Sequence, residues 1–301
     1  MNTIEHTPNS SRSYAIIITG SFLFCAKGIL VKELFRYGFS AQEALTLRML
    51  FALPFYLVAG LWLRTSLRKV SKRDFVWIMV LSFIGFYICS LVNFTGLQHV
   101  SVGLERIILF SYPSLVLIGG VLFQKKKHGI KQYLACVLTW IGLALVVLDE
   151  VKISGENNRI LFGAMMIFLS ALIYASYLLI AKPLIHRVGA LNTTTLGMVF
   201  CCTLILTVQL IKNGTEMSGT YSPQSIALAI AIGTLGTVAP TYLLSLGLSR
   251  VSSSSYAIVS SLGPIITIIV ATCVTQQIPT AIQITGMSLA LISSTFTNLK
   301  S

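Results

Sequence analysis

Three basic side chains and one carboxylate lie inside stretches otherwise built from apolar residues: Lys27, Arg48, Glu105 and Arg106. Glu105 and Arg106 are adjacent, at the head of the run SVGLERIILFSYPS that begins at Ser101. An ionised group in hydrocarbon costs about 2.5–3.5 kcal/mol even on lenient scales, so such groups face one another or water rather than lipid. Counting at about 1.5 Å per helical residue puts Glu105 about 6 Å, and Lys27 and Arg48 about 10 Å, from the same membrane face. Three cations and one anion at similar depth leave a surplus of about two positive charges, suited to holding a carboxylate or phosphate group. A second reading stays open: Glu105 pairs with Arg48 or Lys27 to lock helices together, while Arg106 snorkels to the headgroups. Neighbouring residues on a helix point about 100° apart, which predicts that Glu105 and Arg106 do not both enter one narrow cavity. The polar stripe Ser101, Glu105, Tyr112 and Gly119 favours Glu105.

The elements that must carry these residues are set by composition. Of 301 residues, 55% are hydrophobic and 10% charged, with a mean hydropathy of +0.83, against roughly a quarter charged in a soluble domain. This predicts an all-α integral membrane protein. Ten runs are long enough to cross about 30 Å of hydrocarbon as helices, near residues 13–34, 41–63, 74–97, 101–123, 131–149, 160–185, 191–211, 223–247, 252–275 and 280–298. Residues 1–12 read as a polar tail without the features of a signal peptide. The six cysteines all fall in apolar runs, with no CxxC spacing, so neither a disulfide framework nor a metal site is expected. If the N-terminus is cytoplasmic, 14 basic residues fall on that side and five on the other. The asymmetry predicts that both termini are cytoplasmic, in a cell inner membrane or plasma membrane. Basic clusters at 64–73 and 125–131 then lie near anionic headgroups, and a nucleic-acid partner is not expected.

The chain also repeats itself. A shift of 151 positions lays Leu97–Ser101 (LQHVS) on Leu248–Ser252 (LSRVS) and Tyr112-Pro113 on Gly263-Pro264; near the start, a shift of 150 lays Lys27 on Tyr177. Two halves follow, 13–149 and 160–298, joined by a polar linker at 150–159. Five spans per half is an odd number, so the halves enter the membrane from opposite sides and form two inverted five-helix repeats, as secondary transporters use for alternating access.

The segments GLQHVSVGLERIILFSYPSLVLIGGVLF and LGLSRVSSSSYAIVSSLGPIITIIVA, with the closing helices LACVLTWIGLALVVLD and IQITGMSLALISSTF, resemble the EamA domains of the drug/metabolite transporter superfamily over nearly the whole chain. Where members often carry a Gly-Glu-Arg-like turn, this chain has QKKKHG and TQQIPT. The resemblance implies a ten-helix carrier of small organic metabolites, often amino acids or related compounds, with a central cavity lined by helices one, three, four, six, eight and nine. It does not imply a particular solute.

Within such a cavity the expected solute contacts are Lys27, Arg48, Asn93, Glu105, Tyr112, Tyr174, Tyr177, Tyr242 and Tyr256. Tyr256 is the repeat counterpart of Glu105 and Tyr177 that of Lys27, so one half offers charge and the other aromatic faces and hydroxyls, which suits an amphipathic solute. Glu105 is also the one acid within a span and the candidate for proton coupling. Pro113, Pro240 and Pro264 interrupt helices, as hinges or as static kinks. No GxxxxGK[ST], HExxH or GxSxG motif occurs, so neither ATP-driven pumping nor hydrolysis is expected. No catalytic residue, cofactor or metal is expected; the partners are a small-molecule solute and the lipid bilayer. Two competing functions remain: export of lipophilic drugs, and a non-transporting sensor or scaffold.

Overall fold

A computed structural model describes residues 10–67, 70–109, 111–124, 129–155 and 157–251, with 256, 259, 280–282, 284, 285, 288 and 289. The described residues contain no strand and 8 helices long and apolar enough to cross a membrane. These are α1 (Ser11–Phe35), α2 (Ala41–Trp62), α3 (Lys72–Leu97), α4 (Val102–Phe123), α5 (Gln132–Ile153), α6 (Asn157–Val188), α7 (Ala190–Asn213) and α8 (Pro223–Arg250). They match the first eight expected spans. The ninth and tenth, and Pro264 with them, lie largely outside the described residues.

Local chemistry sets the boundaries. Ser40 caps α2 in a reciprocal box with Glu43, satisfying amides that the first helical turn leaves open. Ser71 caps α3 through the Asp74 amide, and Ser222 with Pro223 opens α8. Glycines in the left-handed region follow α5 (Gly155, φ 68°) and part α6 from α7 (Gly189, φ 93°), a conformation that other residues resist. The expected linker at 150–159 is therefore mostly helical. The helix that carries α5 runs to Ser154, where the left-handed Gly155 ends it, and α6 begins at Asn157.

Helix contacts rest on small residues, the usual way for helices to approach closely in lipid. Gly96 of α3 leaves room for Ile167 of α6, and Gly247 of α8 leaves room for Ile17 of α1. Likewise Gly85 of α3 faces the Tyr177 ring of α6, and Gly236 of α8 faces the Lys27 stem of α1. The two glycines of each comparison are 151 positions apart and their partners 150. Between these pairs, α2 and α7 bury a core that includes Tyr56, Met198, Cys201 and Cys202. Trp62, Phe123 and Ile211 point outward, as lipid-facing residues do.

Two helices are not regular. Residues Phe83–Ile88 of α3 and Thr234–Val238 of α8 form π-helical turns, each an insertion that rotates the following face and disturbs the backbone ladder. Pro240, which lacks an amide hydrogen, follows the second after Ala239, but Cys89 follows the first, so proline alone does not cause them. Side chains satisfy neighbouring carbonyls: Cys201 Sγ donates to Ser82 O (3.1 Å) and Ser170 Oγ to Cys89 O (3.1 Å), while Thr237 Oγ1 donates to Ile232 O (2.8 Å). Pro113 lies just after a turn in α4, where Ser111 N donates to Ile108 O (3.0 Å).

Candidate solute site

Helices α1, α3, α4, α6 and α8, with Tyr256, enclose a cavity of about 90 Å³. Of the expected contacts, Lys27, Asn93, Glu105, Tyr112, Tyr174 and Tyr256 line it, joined by Arg106, Ser21, Phe24, Ser90 and Ser170. Arg48, Tyr177 and Tyr242 do not. Tyr177 packs on the π turn of α3, with its ring 5.3 Å from that of Phe86. Tyr242 turns toward α7, where its hydroxyl lies 2.7 Å from Thr195 Oγ1.

Glu105 is fully buried, with relative exposure of 0%. Its Oε1 accepts from Asn93 Nδ2 at 3.0 Å, and its Oε2 lies 2.8 Å from Arg106 Nε. The latter contact is an ion pair without hydrogen-bond alignment, since neither atom has a hydrogen-bond partner. The partner of Glu105 is thus its own neighbour, not Arg48 or Lys27. Arg106 does not snorkel; it is 2% exposed, and its guanidinium occupies the space that Gly28 leaves open on α1. The 100° separation of adjacent residues holds at Cβ, but the long arginine stem bends back, so both side chains reach one cavity.

Lys27 is 4% exposed and lacks such a partner. Its ammonium sits 4.1 Å from the Phe24 ring centroid and 5.7 Å from that of Phe94, and among the described residues it makes no ion pair or hydrogen bond. Arg48 lies on the far side of this wall. Its Nε donates to Thr237 Oγ1 at 2.7 Å, a terminal nitrogen donates to Ser90 Oγ at 3.0 Å, and its guanidinium carbon is 5.7 Å from the same Phe94 ring. Three tyrosines complete the wall: Tyr112 and Tyr174 meet edge to face at 5.3 Å, and Tyr174 hydrogen-bonds Tyr256.

A larger space of about 930 Å³ opens at the α1–α2 end, lined by Lys32, Arg36, His99, Ser101 and Arg159 among others. Lys32 donates to the carbonyls of Leu97 and Val100, each at 2.8 Å, closing the end of α3. Burial first, then Arg159 and Lys32, hold the His99 imidazole below its usual value. In the sequence these residues read only as loop charges; that they surround one vestibule depends on how the helix ends meet. At the other end Arg187 donates to Asp74 Oδ1 at 2.8 Å across α6 and α3.

The chain matches the EamA-like transporter family over residues 11–148 and 161–299. It belongs to that family. The EamA-like chain is 28% identical over 260 residues to the uncharacterized transporter YcbK of Bacillus subtilis (strain 168), covering 84% of this chain and 81% of that protein. It is 22% identical over 307 residues to the uncharacterized transporter sll1319 of Synechocystis sp., covering 94% and 92%. A solved structure titled only as the crystal structure of a protein superposes with a TM-score of 0.67 at 15% identity, over 95% of this chain and 96% of the other, a likeness of fold. The EamA-like chain is a multi-pass membrane transporter, with a small-molecule solute and lipid as its surroundings; family and relatives point away from an enzyme.

Proposed function

We propose that this EamA-like transporter is a secondary carrier of a small anionic or zwitterionic, amino-acid-like solute. The observation that carries the reading is the buried Lys27, which lines the cavity together with Glu105 but makes no ion pair among the described residues, Glu105 being held by Arg106 and Asn93. A buried cation left so is costly, and a solute carboxylate removes the deficit. With Arg106 largely engaged by Glu105, the lining keeps about one net positive charge. Tyr112, Tyr174 and Tyr256 offer faces and hydroxyls to the rest of the solute. A lipophilic cation fits less well, since Glu105, the carboxylate it needs, is occupied by Arg106 and Asn93.

Alternating access between two inverted five-helix repeats, 13–149 and 160–298, is the mechanism we favour. It is supported by the twin contacts Gly85 to Tyr177 and Gly236 to Lys27, and by Gly96 to Ile167 and Gly247 to Ile17. The cavity of about 90 Å³ falls short of the roughly 300 Å³ at which ligand sites begin, as suits an occluded state. Opening then uses the irregular points near Pro113 and Pro240. Both termini are cytoplasmic in this reading, so the 930 Å³ vestibule faces outward. The decisive experiment compares metabolite uptake by vesicles with and without the protein, followed by counterflow in proteoliposomes. Saturable counterflow of an anion or zwitterion, lost in Lys27→Ala at equal folded protein, is the expected result. Absence of any counterflow overturns the carrier reading, and a cation that outcompetes all anions overturns the solute class.

A further inference from the structure

The two π turns are held in different ways, and the difference involves a residue behind the cavity wall. In the α3 turn, Phe86 packs on Tyr177 at 5.3 Å between centroids. At the matching place in α8, 151 positions on, stands Thr237. Its hydroxyl donates to Ile232 O within its own helix and accepts from Arg48 Nε of α2. Arg48 is 2% exposed and its second bond goes to Ser90 of α3. Both bonds lead to the cavity. Ser90 lines it directly, and the residue next to Thr237 is Gly236, whose bare face lies against the Lys27 stem, where an added Cβ would come 3.1 Å from Lys27 Cβ and Cγ.

We infer that Arg48 is a positioning residue: its guanidinium spans α8 and α3, fixes the π turn of α8, and thereby sets the stem of Lys27 in the cavity without touching solute. A rigid planar fork suits this role, because one group reaches two hydroxyls on different helices at once; a lysine ammonium on a flexible stem does not. The burial of a cation at this point follows too. Its hydrogen bonds and the Phe94 ring offset part of the cost of removing it from water.

The inference rests on the cavity being the solute site only for its functional meaning; its test needs no solute. Cys25 and Cys89 line the cavity, whereas Cys136 is buried in α5 away from it. The full chain in lipid nanodiscs is treated with N-ethylmaleimide and the labelling of each cysteine is followed by peptide mass spectrometry. Thr237→Val removes the acceptor with little change of shape, Arg48→Lys keeps the charge, and Thr237→Ser restores the hydroxyl. The first two should speed labelling of Cys25 and Cys89 about tenfold, the factor expected for losing one hydrogen bond to a charged group, with Cys136 unchanged. Thr237→Ser should label as the native protein does. Equal acceleration at all three cysteines means general loosening and overturns the inference, as does no change in Thr237→Val. A response in Arg48→Lys alone overturns it as well, since the effect then does not pass through Thr237. If labelling follows the expectation while Lys27→Ala transports normally, the positioning role stands and the solute reading falls.

Discussion

Replacing Lys27 by methionine keeps an unbranched stem against Gly236 and Phe24 and removes one buried charge. Lys27 is 4% exposed, and its ammonium makes no ion pair among the described residues. Burying an ion costs several kcal/mol, of which contact with an aromatic face returns about 2 kcal/mol when desolvated. The empty protein therefore carries a deficit here, and Lys27→Met should unfold at the same temperature as the native chain or higher. Transport should move the other way. A hydrogen bond from a charged donor to a solute carboxylate is worth about 1.5–3 kcal/mol, so its loss should weaken solute binding about ten- to hundredfold. The assay pairs thermal unfolding of the purified protein in detergent with concentration-dependent counterflow in proteoliposomes of matched protein content. Lower stability in Lys27→Met, or a transport loss that merely follows folded protein, refutes the reasoning, because it means that the ammonium is part of the scaffold.

Glu105→Gln leaves Arg106 buried without its anion, so it should lower stability by about 3–5 kcal/mol and remove solute exchange together with pH-driven accumulation; exchange retained with pH drive lost would instead assign proton carriage to Glu105, and unaltered pH drive would exclude it. In a chain freed of native cysteines, Val70→Cys should resist an impermeant outside thiol reagent and Thr215→Cys should react, and the reverse pattern would invert the topology. Gly96→Ala places a methyl group 2.8 Å from the Gly163 carbonyl oxygen, which should cost about 1–3 kcal/mol in unfolding measurements, whereas Gly129→Ala meets nothing within 4 Å and should be nearly neutral.

The position of the spans along the chain could be read from the sequence, and direction around each helix axis much less so. Length and hydropathy located the eight described spans, and counting along α1 and α4 brought Lys27 and Glu105 to similar depths; both line one cavity. The repeat offset also paired Tyr256 with Glu105, and both line the cavity. Arg48, counted to a similar depth, faces the wrong way, because which side of α2 looks inward is decided by its packing on α7 and α8. The π turns escaped notice for a related reason. Each inserts one residue into a helix without a sequence mark: the first precedes Cys89 and the second Ala239, and neither changes hydropathy. The pairing of Glu105 with Arg106 was missed because spacing rules describe Cβ directions, and a side chain as long as arginine does not keep to them. Glu43 also does more than cap: its carboxylate accepts from Ser218 N at 2.6 Å and from Ser218 Oγ at 2.7 Å.

That clasp makes the two ends of the transporter unequal. At one end the buried Glu43 joins the start of α2 to the segment between α7 and α8 through neutral donors that dissolved ions barely affect. At the other, Asp74 and Arg187 join α3 to α6 through a pair whose arginine side chain is 58% exposed, a kind of contact worth about 0–1 kcal/mol. Its attraction is further reduced as the screening length falls from about 10 Å at 0.1 M salt to about 3 Å at 1 M. Ionic strength thus acts as a one-sided lever: concentrated electrolyte weakens the Asp74–Arg187 contact and leaves the Glu43 clasp in place.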